Sequence, residues 1–257
     1  MKFVIIIPAR YQSTRFPGKP LAVLGGKPVI QRVYEQAKSV LPDVWVATDD
    51  DRIFLAVEGF GGKAVMTRAD HKSGTDRIQE AAEKIGGDFD VIINIQGDEP
   101  FIDPEQINLM VDLISRDDTQ LASLAKHIRL EDELYSPNTV KVVMDVEGKA
   151  LYFSRHPIPF MRNEEMTDWL AKGLFFKHIG IYAYKAETLR VIAKMPMSAL
   201  EKSESLEQLR WLENGFDIRM GITDTENVSI DTPSDLQKAE SFLTSRPLSG
   251  AEAPHNQ

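Results

Sequence analysis

The sequence predicts an α/β fold: a mostly parallel sheet with an antiparallel insertion. Three observations predict it. Short apolar runs alternate with amphipathic helical patterns through the first half, the order expected of β-α-β units with right-handed crossovers. The first of those runs, Phe3–Ile7, is apolar throughout, as in a strand covered on both faces. The second half turns strand-rich, with a hairpin signal at Glu147-Gly148.

The elements follow in order. Phe3–Ile7 reads as a strand that stops at Pro8. Lys27–Leu41 reads as a helix with Val29, Ile30, Val33, Tyr34 and Ala37 on one face. Val44–Ala47 is a strand, and Arg52–Phe60 a short helix ended by Gly61-Gly62. Ala64–Thr67 is a short strand, Thr75–Ile85 a helix and Val91–Ile95 a strand. Asp103-Pro104-Glu105-Gln106 opens a helix with an Asp cap, a first-position proline and a capping-box glutamine. Val140–Met144, Ala150–Phe153 and His178–Tyr184 read as strands. Helices follow near Ala186–Met195 and Leu200–Asn214, then a strand near Ile218–Ile222 and a helix from Thr232-Pro233 to Leu243. The division expected is one domain over residues 1–243, with the insertion at about 132–185 in the same body, and an unordered tail over 244–257.

Composition narrows the function. The 257 residues suffice for a sizeable core. A net charge of −9 argues against broad nucleic-acid binding, though a cleft can still focus a local positive field. With no cysteine, disulfides, thiolate catalysis and Cys-ligated zinc are excluded. No signal peptide or membrane span is visible, so the expected compartment is the cytoplasm.

Four constellations carry chemistry. The loop after the first strand holds Arg10, Arg15 and Lys19 with the hydroxyls of Ser13 and Thr14. Cations on a loop at the carboxyl end of a parallel strand suit a polyphosphate, although the Walker pattern is absent. Thr67–Arg77 places Ser73-Gly74-Thr75 just before a helix, where N–H groups can approach a base or an anion. Arg77 in that helix's first turn opposes the dipole, which asks for a ligand or an acidic partner, unless it is a surface Arg on a capped helix. Asp98 and Glu99 follow the Val91–Ile95 run, and Asp231 follows Val228–Ile230. Such acids read either as caps and turn residues or as ligands of Mg²⁺ on substrate phosphates. On the His178–Tyr184 strand, His178 and Tyr182 share a face across Gly180, as a pocket lining or as a structural pair. Arg155 ends the nearby Tyr152-Phe153-Ser154 run, and Glu201, Glu204 and Glu207 read as a solvated helix face.

Taken together, the strings IPARYQSTRFPGKPL, ATDD, MTRADHKSGTDR, INIQGDEP, NTVKVVMD, ALYFSR, KHIGIYAY, LEQLR and SIDTPSDL closely resemble the 3-deoxy-manno-octulosonate (Kdo) cytidylyltransferases. They run from residue 3 to residue 236 in the family's order. The resemblance implies a nucleotide-diphospho-sugar transferase-like, Rossmann-like fold and a nucleotidyltransferase reaction: CTP and Kdo give CMP-Kdo, for lipopolysaccharide biosynthesis, and pyrophosphate. It implies Arg10 and Lys19 on the triphosphate, with Arg15 and Ser13 assisting, and Ala9, Ser73, Gly74 and Arg77 around the cytidine. Asp98 and Asp231 would carry Mg²⁺ and complete the catalytic set with Arg10 and Lys19. Gln96, Arg155, His178, Tyr182, Glu207 and Gln208 would form the sugar pocket. A homodimer paired through the insertion is also implied, with no nucleic-acid or membrane partner.

Met161–Gly173 follows no strong pattern, which leaves Kdo and an 8-amino variant both open. A sialic acid is a further alternative substrate. A glycosyltransferase and a non-catalytic nucleotide-binding module are readings of other classes. The nearest Asp-x-Asp string for the former, Asp49-Asp50-Asp51, lacks its context.

Overall fold

Strand β1 (Phe3–Ala9) is the axis of the molecule, because its β-branched residues must be covered from both sides. Ile5 and Ile7 enter one core cluster, while Val4 and Ile6 enter the other, and all four are fully buried. The computed structural model describes residues 1–225 and 228–245.

After β1 the chain makes a small hairpin, β2 (Val23–Leu24) and β3 (Lys27–Pro28), and enters α1 (Val29–Val40). It continues through β4 (Val44–Thr48), α2 (Asp51–Gly59), β5 (Ala64–Met66), α3 (Gly74–Ile85), β6 (Val91–Asn94), α4 (Pro104–Ile114) and β7 (Leu121–His127). The second half runs through α5 (Glu131–Tyr135), β8 (Lys141–Met144), β9 (Ala150–Ser154), α6 (Trp169–Lys172), β10 (Phe176–Lys185) and α7 (Ala186–Ile192). It closes with α8 (Ala199–Glu204), α9 (Gln208–Glu213), β11 (Ile218–Ile222) and α10 (Pro233–Ser245).

The main path of the sheet is β11-β7-β10-β6-β1-β4-β5. β5, β4, β1 and β6 pair in parallel, as do β7 and β11. β10 runs antiparallel between β6 and β7, and the β8–β9 hairpin pairs with its first residues. The antiparallel stretch is therefore not peripheral. Its last strand stands in the middle of the sheet, which the sequence order alone does not announce.

Several expectations are corrected. β7 escaped the sequence reading. Its LASLAKH run lacks strong β-formers, and it is held by two neighbours, β10 and β11. The helix expected over Leu200–Asn214 is two, because Ser205 adopts φ 52. Arg210 Nη2 and Nε reach back to the Glu201 carboxylate at 2.6 and 2.8 Å, folding α9 onto α8. The Val228–Ile230 run forms no strand; Ile230 instead packs with Leu24, Phe101 and Ala239. The capping box at Asp103–Gln106 is present as read. Of the expected tail, residues 244 and 245 close α10 and 246–257 lie outside the described residues.

Candidate active site

A cleft of about 480 Å³ lies at the carboxyl ends of β1 and β6, walled by their loops, the start of α3 and the turn before α10. The β1 loop is closed by the Tyr11 carbonyl, which accepts the N–H groups of Ser13 (3.1 Å) and Gly18 (2.8 Å). Gly18 has φ 73, and a Cβ there would stand 3.0 Å from the Tyr11 ring. Arg52, paired with Asp50 at 2.7 Å, lies 3.3 Å above the centre of that ring. This fixed loop brings Arg10, Ser13, Arg15 and Lys19 to the cleft, beside Ala9.

Ser73 caps α3 by accepting the Asp76 N–H at 3.1 Å, and Gly74 opens the helix. Both line the cleft. Buried Arg77 gives Nη1 to Thr67 Oγ1 at 2.6 Å and Nη2 to Asp49 Oδ2 at 3.2 Å. Of the alternatives read for Arg77, the acidic partner is real: Asp49 balances a cation placed at a helix N-terminus.

After β6 the chain bends into the cleft. Gln96 Nε2 donates to Asn94 Oδ1 at 3.2 Å. At Gly97 a Cβ would stand 2.9 Å from the Pro8 carbonyl oxygen, so the absent side chain permits the two loops to meet. The Ile230 N–H donates to the Asp98 carbonyl at 2.9 Å, and this bond joins the two acid-bearing segments. Lys19 Nζ then lies 2.5 Å from Asp98 Oδ2 and 3.3 Å from Asp231 Oδ1, and Arg15 lies 3.2 Å from Asp231. Two carboxylates converging beside several cations fit a Mg²⁺ ion that takes its remaining ligands from phosphates and water. Among the described residues no group of three or more His, Asp or Glu could hold a metal ion.

The residues expected to hold a sugar do not line this cleft, Gln96 excepted. His178 and Tyr182 do meet, with ring centres 5.4 Å apart, although β10 bulges between them. Ser123 Oγ serves the bulge, donating toward the Ile181 carbonyl at 2.8 Å and lying 2.8 Å from His178 Nε2. Burial pushes the His178 pKa down to about 3, so the ring is neutral, and it raises that of the Tyr182 hydroxyl. Tyr184 stacks against Tyr182, and Trp211 meets both edge-on. Glu207 Oε2 accepts from Thr75 Oγ1 at 2.9 Å, which joins this second group to the first turn of α3. Burial raises the Glu207 carboxyl pKa despite that bond. Gln208 is buried at the start of α9.

Arg155 is the exception. Its Nε, Nη1 and Nη2 donate to the carbonyls of Glu204 (2.7 Å), Pro137 (2.8 Å) and Ser205 (3.3 Å), so its guanidinium anchors the α8–α9 turn. Beneath it, fully buried Lys141 donates to the carbonyls of Ser136, Thr139 and Arg155 at 2.6–2.9 Å. The reading of single motifs missed His71, Lys72 and Gly97 at the cleft and Ser123, Tyr184 and Trp211 beside Tyr182. The first three and Tyr184 stand inside strings already singled out; Ser123 and Trp211 have no local signal.

Comparison with known proteins identifies the family of the chain. Residues 4–220 match the family model described as cytidylyltransferase. The 3-deoxy-manno-octulosonate cytidylyltransferase of Bacteroides thetaiotaomicron is 58% identical over 249 residues, covering 96% of this chain and 100% of that protein. The 8-amino-3,8-dideoxy-manno-octulosonate cytidylyltransferase of Shewanella halifaxensis is 49% identical, covering 95% of this chain and 99% of that one. Among solved structures, a CMP:2-keto-3-deoxy-manno-octonic acid synthetase complexed with CTP superposes with a TM-score of 0.88 at 45% identity, covering 95% of this chain and 99% of that one.

Proposed function

The chain belongs to the 3-deoxy-manno-octulosonate cytidylyltransferase family, and from that premise we propose that it transfers CMP from CTP to the anomeric hydroxyl of Kdo. The observation that carries the reading is the meeting of Asp98 and Asp231 on Lys19, in a cleft that also presents Arg10, Ser73 and Gly74. In the reaction the sugar oxygen bonds to the α-phosphorus, the α–β phosphoanhydride breaks, pyrophosphate leaves and the hydroxyl proton passes to solvent.

The protein's part is positioning and charge. Arg10, Lys19 and Arg15 bind the triphosphate and offset the charge of the leaving pyrophosphate. Ala9 and the Ser73-Gly74 backbone hold the base. Asp98 and Asp231 would hold Mg²⁺, which when bound neutralises charge around the α-phosphate. Gln96, His178, Tyr182, Glu207 and Gln208 orient the sugar acid, with His178 serving as a neutral hydrogen-bonding group. Arg155 holds the turn that presents Glu207 and Gln208. The product serves lipopolysaccharide assembly, and the cytoplasm is its place of work. A second copy of the chain is supported by the groove between Met144, exposed Val146, Leu174, Phe176 and Ile222.

The test is pyrophosphate release with CTP and Kdo, run beside the 8-amino sugar, a sialic acid and the other nucleoside triphosphates. CTP with Kdo should be the fastest pair. Turnover with ATP comparable to that with CTP refutes the assignment, and faster release with the 8-amino sugar moves it to that substrate.

A further inference from the structure

The cations of the cleft are not equally free. Lys19 is held by Asp98 and Asp231, Arg15 by Asp231, and Arg77 by Thr67 and Asp49. Arg10 and Lys72 also line the cleft, and neither carries an ion pair or side-chain hydrogen bond among the described residues. A phosphate reaching Lys19 or Arg15 must compete with a carboxylate already in place. At Arg10 and Lys72 it displaces only water. A nucleoside triphosphate brings more negative charge than Arg10 alone neutralises.

The backbone around Lys72 is fixed at both ends. On its amino side, the carboxylate of Glu80 on α3 receives the Arg68 N–H at 3.2 Å on each oxygen and also bonds His71 Nε2. Lys84 lies 2.7 Å from Glu80 and donates to the Met66 carbonyl at 2.9 Å. Burial pushes the Glu80 carboxyl up, but the bonds from Lys84, the Arg68 N–H and His71 outweigh it and hold the pKa at about 2. On its carboxyl side, Ser73 caps α3. The nearby acid Asp70 is taken by Arg68 at 3.4 Å. Lys72 is thus an exposed ammonium, unpaired among the described residues, on an anchored stretch of chain at the rim of the cleft.

We propose that Lys72 is a triphosphate-binding cation, and that Glu80 is the positioning residue that holds its loop at the cleft. The proposal rests on the reading that this cleft takes CTP. Lys72 acts as a point charge on a flexible stem, aimed at the phosphates beyond the α position. Glu80 touches no substrate and acts only through the loop.

The experiment is calorimetric titration of CTP and of CMP into the full chain, for wild type, Lys72→Gln, Glu80→Gln and the double variant. Lys72→Gln should weaken CTP about five- to tenfold and leave CMP unchanged, with a shallower salt dependence. Lys72→Arg should restore most of the loss. Glu80→Gln should weaken CTP less, and the double variant should bind no worse than Lys72→Gln alone, because a positioning residue adds nothing once its target is gone. Circular dichroism melts establish that the Glu80→Gln chain is folded at the titration temperature. CTP binding unchanged in Lys72→Gln overturns the proposal, as does equal weakening of CTP and CMP. Full additivity in the double variant overturns the role of Glu80. These failures leave the family reaction standing if wild type still binds CTP and releases pyrophosphate. Wild type that does neither refutes the function itself.

Discussion

Replacing Gly97 by alanine tests how closely the two loops of the cleft are fitted. The added Cβ would stand 2.9 Å from the Pro8 carbonyl oxygen, 3.5 Å from Ile30 Cδ1 and 3.6 Å from Ala9 Cβ. An ordinary C···O contact is about 3.3–3.6 Å, so something must move by about half an ångström. Pro8 cannot yield easily, because it is paired with Ala47 of β4 in a strand that two residues earlier is also paired with β6. The displacement therefore falls on the loop carrying Gln96 and Asp98. A misplacement of about 1 Å costs about a hundredfold in rate, so half that shift should cost about tenfold in turnover at saturating substrates. Overpacking of this kind destabilises by about 1–3 kcal/mol. At this chain length each kcal/mol is worth about 2–4 °C in melting temperature. Pyrophosphate release at 25 °C and a thermal melt measure the two effects separately. Wild-type turnover together with an unchanged melting temperature would refute the close approach and the placement of Asp98 that depends on it.

Asp98→Asn and Asp231→Asn should each lower turnover by at least about a hundredfold with the fold retained in circular dichroism, and EDTA should stop the wild-type reaction; substantial activity in Asp98→Asn at ordinary Mg²⁺ removes the metal role. Lys19→Ala should raise KM for CTP, whereas Tyr182→Phe should mainly raise KM for the sugar acid, by the loss of one contact worth about 0.5–1.5 kcal/mol; the reverse pattern in kinetics varying each substrate displaces the sugar pocket from β10. The Glu80 carboxyl is held at about 2 against an ordinary 4.5, so its contribution to stability is complete above about pH 4.5 and is lost as pH falls toward 2. Urea midpoints measured from pH 6 to pH 2 should therefore fall more steeply in wild type than in Glu80→Gln, and equal slopes contradict the anchored loop.

Much of this was legible from local pattern. The apolar runs of β1, β4 and β6 and the helix faces of α1 and α3 follow from periodicity, and the Asp103–Gln106 capping box from residue types alone. The polar loop after β1 announced its cations, and Ser73-Gly74 its helix start. β7 was not legible, because a strand rich in alanine and serine acquires its stability from two partners that lie far off in the chain. The break at Ser205 was hidden for a related reason: the Arg210–Glu201 pair that folds α9 back is a contact between helices, not a helix stop signal.

The sequence by itself determined the family, the parallel half of the sheet and the residue types available for binding a triphosphate. These depend on near neighbours along the chain, where period, capping and loop composition act. Only the tertiary structure decided which acid meets which cation. Asp231 reaches Lys19 because Ile230 is buried beside Leu24 and Phe101 and bonded to the Asp98 carbonyl. Arg155 is drawn onto two carbonyls of the α8–α9 turn and that of Pro137, and among the described residues Lys72 is left unpaired while its neighbours are taken. Partner choice among charges depends on distance in space and on which groups burial has already committed, and neither is written in the spacing of residues along the chain.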